Sequence, residues 1–163
     1  MSSPAATPAT ALNNLSGKYL TVVLENEAYG LNVLKIREII RLQKITPVPQ
    51  MPAFVKGVIN LRGRIIPVVD LRGRFRMPEV QPTKETRIVV AESSSTRVGL
   101  IVDGVSEVLL LPADSVEATP GVASGDDAEY LRGIAKLGDR LVLLLELDGL
   151  FGSEEQAVLA GAA

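Results

Sequence analysis

Gly57-Val58-Ile59-Asn60-Leu61-Arg62-Gly63-Arg64-Ile65-Ile66-Pro67-Val68-Val69-Asp70-Leu71 returns 76 positions later as Gly133-Ile134-Ala135-Lys136-Leu137-Gly138-Asp139-Arg140-Leu141-Val142-Leu143-Leu144-Leu145-Glu146-Leu147. Gly57/Gly133, Leu61/Leu137, Arg64/Arg140 and Leu71/Leu147 are identical, and Asp70/Glu146 keeps the acid. The match runs on through Gly73/Gly149 and Phe75/Phe151, with Phe54/Tyr130 upstream. A second stretch matches at an offset of 69, where Gly30-Leu31, Val33, Ile36, Glu38, Ile39 and Ile40 pair with Gly99-Leu100, Val102, Val105, Glu107, Val108 and Leu109. The offsets differ by 7, which one insertion in the polar stretch before Glu129 absorbs. Strand-rich sequences resemble one another by chance. Two matches in the same order, reconciled by one insertion, favour duplication.

Outward from the repeat, short apolar runs alternate with turn formers. Tyr19 to Leu24, Tyr29 to Val33, Val58 to Asn60, Ile65 to Leu71, Arg87 to Ala91, Val98 to Val102 and Leu141 to Leu147 read as strands, the last nearly continuous and buried. Leu34, Ile36, Ile39 and Ile40 fit either one helical turn or a twisted strand. Ala113 to Glu129, with Pro120-Gly121 and Gly125-Asp126-Asp127, reads as a loop. Each half carries about five short strands, too few to bury a good core alone. The pattern predicts a mainly β chain of two barrels sharing one hydrophobic core about a pseudo-twofold axis, with a groove between them for a ligand or partner.

Residues 1–16 are Ser, Pro, Ala, Thr and Asn with little to bury, so a flexible tail is expected before a domain spanning 17–152. Ser153 followed by Gln156 fits a capping box for a short C-terminal helix, Glu154 to Ala160, within a terminal segment 153–163.

Composition narrows the function. The 163 residues hold 17 Lys+Arg against 19 Asp+Glu, a net charge of −2, and neither cysteine nor histidine. Disulfides, thiol nucleophiles, zinc–thiolate sites and imidazole bases are thereby excluded. A slightly acidic chain with three Phe, three Tyr and no Trp lacks the basic face and stacking rings of a nucleic-acid binder. No apolar run approaches the ~18 residues of a membrane span, and the N-terminus has no signal-peptide pattern, so the expectation is a cytoplasmic protein.

Little remains for catalysis. Asp70 with Asp103, or Glu38 with Glu107, would be candidate acid pairs, but nothing in the sequence places either pair together, and solvated strand-end charges or turn caps account for them. The glycines follow no phosphate-cradling pattern, and no metal-ligand cluster exists. Neither catalytic residues nor a cofactor is expected. Arg62 faces Gly138 in the repeat, whereas a structural arginine would recur in both halves, so Arg62 reads as a partner contact or an idle exposed turn residue. Val33, Ile36 and Ile39 read singly as core; together, with Val105 as repeat partner of Ile36, they fit a groove lining.

Phe54 through Gly57-Val58-Ile59-Asn60-Leu61-Arg62-Gly63 to Pro67-Val68-Val69-Asp70-Leu71 resembles the signature of CheW-like chemotaxis coupling proteins, as do Val98 to Val105 and Tyr130 to Leu147. The resemblance covers Lys18 to about Phe151. It implies two five-stranded SH3-like barrels around a shared core and no catalytic activity. It also implies a bridge between the regulatory domain of the CheA histidine kinase and the cytoplasmic tips of methyl-accepting chemoreceptors, with other CheW-like domains joining in rings. The family's receptor groove falls on Leu20, Val33, Ile36, Ile39 and Val105, with Arg62 at the turn, and its kinase contacts on Gly57 and Pro47-Val48-Pro49. Two alternatives are a coupling protein of a related chemosensory pathway, such as pilus motility, and an enzyme using carboxylates in the inter-barrel groove.

Overall fold

The structure is a computed structural model that describes residues 17–93, 96–118 and 130–150, so the expected tail over 1–16 and the helix over 154–160 lie outside the described residues. The first half supplies β1 (Gly17–Leu24), β2 (Glu27–Asn32), β3 (Ile36–Arg41), β4 (Val55–Leu61) and β5 (Arg64–Asp70), followed by the one-turn helix α1 (Leu71–Arg74). The second supplies β6 (Arg87–Ser93), β7 (Thr96–Val102), β8 (Gly104–Leu111), β9 (Val116–Ala118), β10 (Leu131–Leu137) and β11 (Arg140–Leu145). One sheet runs β3-β6-β7-β5-β4 and the other β8-β1-β2-β11-β10-β9. They form two SH3-like barrels, called here barrel I and barrel II in that order.

The repeat maps β1 to β5 onto β6, β7, β8, β10 and β11, and under that mapping the order of barrel I becomes the order of barrel II. The register follows. Val68 lies opposite Gly99 where β5 and β7 run parallel, and Leu144 lies opposite Gly30 where β11 and β2 do. The Asp70 N–H donates to the Phe54 carbonyl at 2.8 Å, and the Glu146 N–H to the Tyr130 carbonyl at 2.7 Å. β9, which lies opposite Ile134 through Glu117, is answered in barrel I by a single bridge between Thr46 and Val58, the repeat partner of Ile134. The third strand of each half is exchanged: β3 leaves β1 and β2 to pair with β6, and β8 leaves β6 and β7 to pair with β1.

Alternation along the strands sorts side chains into three cores. On β6, Ile88 and Val90 enter the interior of barrel I with Ile59, Ile66 and Val68. The intervening Val89 and Ala91 face the shared core with Val22, Leu24, Leu31 and Leu100. On β1, Tyr19 enters barrel II beside Val142 and Leu144, while Leu20 and Val22 join the shared core. Strands buried on both faces read in sequence as unbroken apolar runs.

Thr21 breaks that pattern. It is fully buried at the repeat position of Val90, and its hydroxyl has no hydrogen-bond partner among the described residues. Thr21→Val preserves shape and removes an unpaired polar group, so it is expected to stabilise the protein by about 1 kcal/mol. Urea denaturation checks this, and a lower midpoint would mean the hydroxyl is bonded in solution.

Three local expectations are corrected. The ambiguous stretch at 34–40 contains both answers: β2 ends at Asn32, a 3₁₀ turn occupies Val33–Lys35, and β3 follows. The Asn32 side chain caps that turn by accepting the Leu34 N–H at 2.9 Å. Part of the expected loop is ordered, as a 3₁₀ turn at Ala113–Ser115 and the short β9 paired with β10; the remainder of that stretch lies outside the described residues. Finally, β11 stops at Leu145, and Leu141 at its start is 55% exposed rather than buried.

Candidate functional site

Ile36 and Ile39 are three residues apart, which on a regular strand would put them on opposite faces. A β-bulge between Ile36 and Glu38 removes that conflict: Ile36 lies opposite Ala91 and Ile39 opposite Val89, both shared-core positions. The same bulge recurs where Val105 lies opposite Val22 and Val108 opposite Leu20. β3 is the outer strand of barrel I and β8 that of barrel II. Ile36 and Val105 are thus equivalent, half-buried residues packed against the shared core from its two edges. Ile39 and Val108, one bulge further along, are 41% and 52% exposed. Val33 is half-buried on the crossover turn into β3. Leu20 departs from the expected lining: at 4% exposure it belongs to the shared core and lies beneath this surface.

Arg62 lies in the turn joining β4 to β5, with φ +52°, and Gly63 follows at +84°. Asn60 braces the turn by accepting the Gly63 N–H at 2.8 Å. Arg62 pairs with Glu38 on β3, tying the hairpin tip to the barrel's outer strand. Barrel II makes the matching tie from a different turn residue, since Glu107, the repeat partner of Glu38, pairs with Arg140 at 3.3 Å. Arg62 therefore has a scaffold contact that the sequence comparison did not foresee. Its side chain remains 71% exposed, at a left-handed position that Gly138 fills in the other half.

Gly57 and the Pro47-Val48-Pro49 stretch come together for a steric reason. Gly57 is buried with φ +144°, and a Cβ there would stand 2.1 Å from the Thr46 carbonyl oxygen and 2.9 Å from the Pro47 Cα. The close approach lets Thr46 and Val58 exchange two backbone hydrogen bonds, each 2.9 Å. Pro47 and Pro49 are exposed and Val48 half-buried, so this segment presents a surface that Gly57 itself does not reach.

The sequence offered solvated strand-end charges or turn caps for these acids, and Asp70 is a cap, at the start of α1. Asp70 is nine-tenths buried, and its carboxylate accepts the Arg72 N–H at the start of α1. Burial raises its pKa above the usual aspartate value, against the lowering effect of that hydrogen bond. Asp103, between β7 and β8, accepts two bonds from the Arg72 guanidinium, at 2.8 and 2.7 Å. Those bonds lower its pKa. Arg72, 8% exposed, also reaches Glu25 at 2.6 Å and the Pro78 carbonyl at 2.8 Å. This hub joins α1 to the β1–β2 turn and to the crossover into β8, and the repeat does not signal it, because the repeat partner of Arg72 is Asp148.

Asp70, Asp103 and Arg72 line one cavity of about 280 Å³ with Leu42, Ile45 and Ile101 of barrel I and its flanks. The two acids converge with pKa values pushed in opposite directions, but one is held by arginine. That arrangement does not supply the pair of raised acids in the inter-barrel groove that an enzyme reading needs.

Three comparisons bear on identity. The CheW-like domain family matches residues 18–155. The chemotaxis protein CheW of Klebsiella aerogenes is 38% identical over 146 residues, covering 90% of this chain and 88% of that protein. The CheW of Rhizobium meliloti is 36% identical over 148 residues, 91% of this chain and 96% of that one. The crystal structure of the scaffolding protein TtCheW from Thermoanaerobacter tengcongensis superposes with a TM-score of 0.79 at 36% identity, over 86% of this chain and 95% of that one. Repeated halves, exchanged third strands and agreement along most of the sequence lead to one conclusion: the chain belongs to the CheW-like domain family.

Proposed function

We propose that this protein is a non-catalytic cytoplasmic adaptor that couples methyl-accepting chemoreceptors to the CheA histidine kinase in a chemotaxis array. The receptor's helical tip lies against Val33, Ile36 and Ile39 on the barrel I side of the shared core and Val105 on the barrel II side, with Arg62 at its rim. The regulatory domain of the kinase meets barrel I at the Pro47-Val48-Pro49 segment that Gly57 accommodates, and further CheW-like domains extend the assembly into rings. The observation that carries this reading is the exposed apolar pair Ile39 and Val108, repeat equivalents on the outer strands that flank the shared core. An amphipathic helix suits such a strip, since burying it contributes about 25 cal/mol per Å² of apolar area. The names of the relatives, chemotaxis protein CheW and scaffolding protein TtCheW, support it. Among the described residues, no helix is long and apolar enough to cross a membrane, which accords with attachment to arrays through partners.

Ile36→Asp tests the receptor surface. Its carboxylate keeps water in the free protein and loses it in the complex, so receptor affinity is expected to fall by about 2–4 kcal/mol, tenfold for each ~1.4 kcal/mol. Kinase affinity should hold. Because Ile36 also touches the shared core, the more exposed Ile39→Asp is measured beside it, with melting curves for both. Titrations against a receptor fragment and a kinase fragment decide the matter. Two folded variants with parental receptor affinity would remove the groove from this surface.

A further inference from the structure

Two buried charged side chains of this cavity, Arg72 and Asp70, are partnered very differently. Arg72 is spent: its Nε and one terminal nitrogen bind Asp103, and the other reaches both the Pro78 carbonyl and Glu25. It offers nothing to an anion. Asp70 is the opposite case. Among the described residues, the hydrogen bond its side chain accepts comes from a backbone N–H, and no side-chain cation is bonded to it. Lys56, the nearest candidate, is engaged with Glu79 at 3.1 Å.

Barrel II shows what the same position looks like when filled. The repeat partners of Lys56 and Asp70 are Arg132 and Glu146, and those two pair directly. In barrel I the acid is one methylene shorter and withdrawn, its cation has turned to the segment after α1, and the space between them is the cavity. The walls include Leu42, Ile45, Ile101 and Val80, and the lining carries three carboxylates, Asp70, Asp103 and Glu79, against two cations. Half-buried Lys56 and exposed Glu79 mark its rim.

We propose that this cavity binds a small organic cation, a guanidinium or primary ammonium on a short apolar stem, whose head meets the Asp70 carboxylate in the place that Arg132 takes against Glu146. A charge-assisted contact with a buried carboxylate fixes the head, and the aliphatic wall receives the stem. A cavity of this size roofed by residues 79–82 admits a free small molecule rather than a folded partner. The cavity adjoins the Thr46-Pro47 segment through Ile45 and Lys56, but its test reads a small cation on the free chain, so it stands or falls independently of the adaptor reading.

n-Butylguanidinium is the probe, with 1-butanol as its neutral match, titrated into the full chain labelled at isoleucine and leucine methyls. Saturable shifts at Leu42, Ile45 and Ile101 are expected, with a Kd on the order of 1 mM, and binding should lower the Asp70 carboxyl pKa in the same sample. Asp70→Asn keeps an acceptor for the Arg72 N–H and should weaken binding at least tenfold. The carboxyl titration in unmodified protein covers the case in which that variant folds poorly. Absence of saturation at 50-fold this concentration, equal affinity for 1-butanol, or undiminished binding in folded Asp70→Asn would each overturn the proposal.

Discussion

Arg72→Met is expected to cost about 2–4 kcal/mol, less than for a wholly buried ion pair because Asp103 and Glu25 stay partly solvated, and to lower the melting temperature by roughly 10 °C. Arg72 is 8% exposed and its four contacts tie α1 to Glu25, Asp103 and Pro78. Methionine fills the stem volume but leaves Asp103 half-desolvated beside an apolar chain. The loss should depend on pH with a definite sign. Arg72 depresses the Asp103 pKa in the folded state, so the stabilisation is present above the unfolded value near 4 and fades as pH falls through the lower folded value. The gap between parent and variant should therefore narrow in acid. Asp70 works the other way: its pKa is raised by burial, so its ionisation costs stability as pH rises through the folded value. Calorimetry across acid and neutral pH measures both trends. A melting point within 2 °C of the parent at neutral pH would show that the hub is held by packing alone.

Gly57→Ala should weaken kinase binding at least tenfold and lower stability by about 2–4 kcal/mol, although the added methyl carries no charge and touches no partner. Its Cβ would stand 2.1 Å from a backbone oxygen, and its φ of +144° strains any L side chain. The exposed 46–49 segment must move, and the two bonds between Thr46 and Val58 go with it. Gly57→Asp should then be little worse than Gly57→Ala for kinase affinity. If alanine were neutral and only aspartate harmful, the effect would lie in charge at the interface and the segment would be cleared of responsibility. Binding of a kinase fragment, with hydrogen exchange at Thr46 and Val58 as the structural readout, separates these outcomes.

The duplication was legible because identical residues survive at matching strand positions, from Gly57/Gly133 to Leu71/Leu147. Which sheet each strand joins was not, since an offset of 69 or 76 residues is the same whether a third strand stays home or crosses over. The 34–40 stretch read ambiguously for a mechanical reason: a bulge at Arg37 gives a strand the three-residue apolar spacing of a helix. β9 escaped notice because Val116-Glu117-Ala118 is too short to show alternation. Arg62 was singled out correctly as exposed, but the inference from Gly138 missed that Glu38 and Glu107 recruit different arginines for one job. Arg72 and the cavity belong to tertiary structure. The one hint in the sequence was the exchange of Glu146 for the shorter Asp70, a missing methylene whose meaning depends on where Lys56 turns.

The exchange of third strands also sets an order of events at the ribosome. Every strand of barrel I lies between Ile36 and Val102, whereas barrel II is assembled from Gly17–Asn32 and Gly104–Leu145. As synthesis proceeds, barrel I has all its partners once Val102 has emerged. β1 and β2 emerge first and pair with each other, yet their outer edges wait for β8 and β11, so the apolar run Tyr19 to Leu24 has a strand on one side only through the synthesis of an entire barrel. At 5–20 residues per second that is a delay of several seconds, on the order of the time in which exposed strand edges find wrong partners. The late barrel closes around the early one from both ends of the chain, so the nascent protein becomes safe from aggregation only when its last strand is delivered.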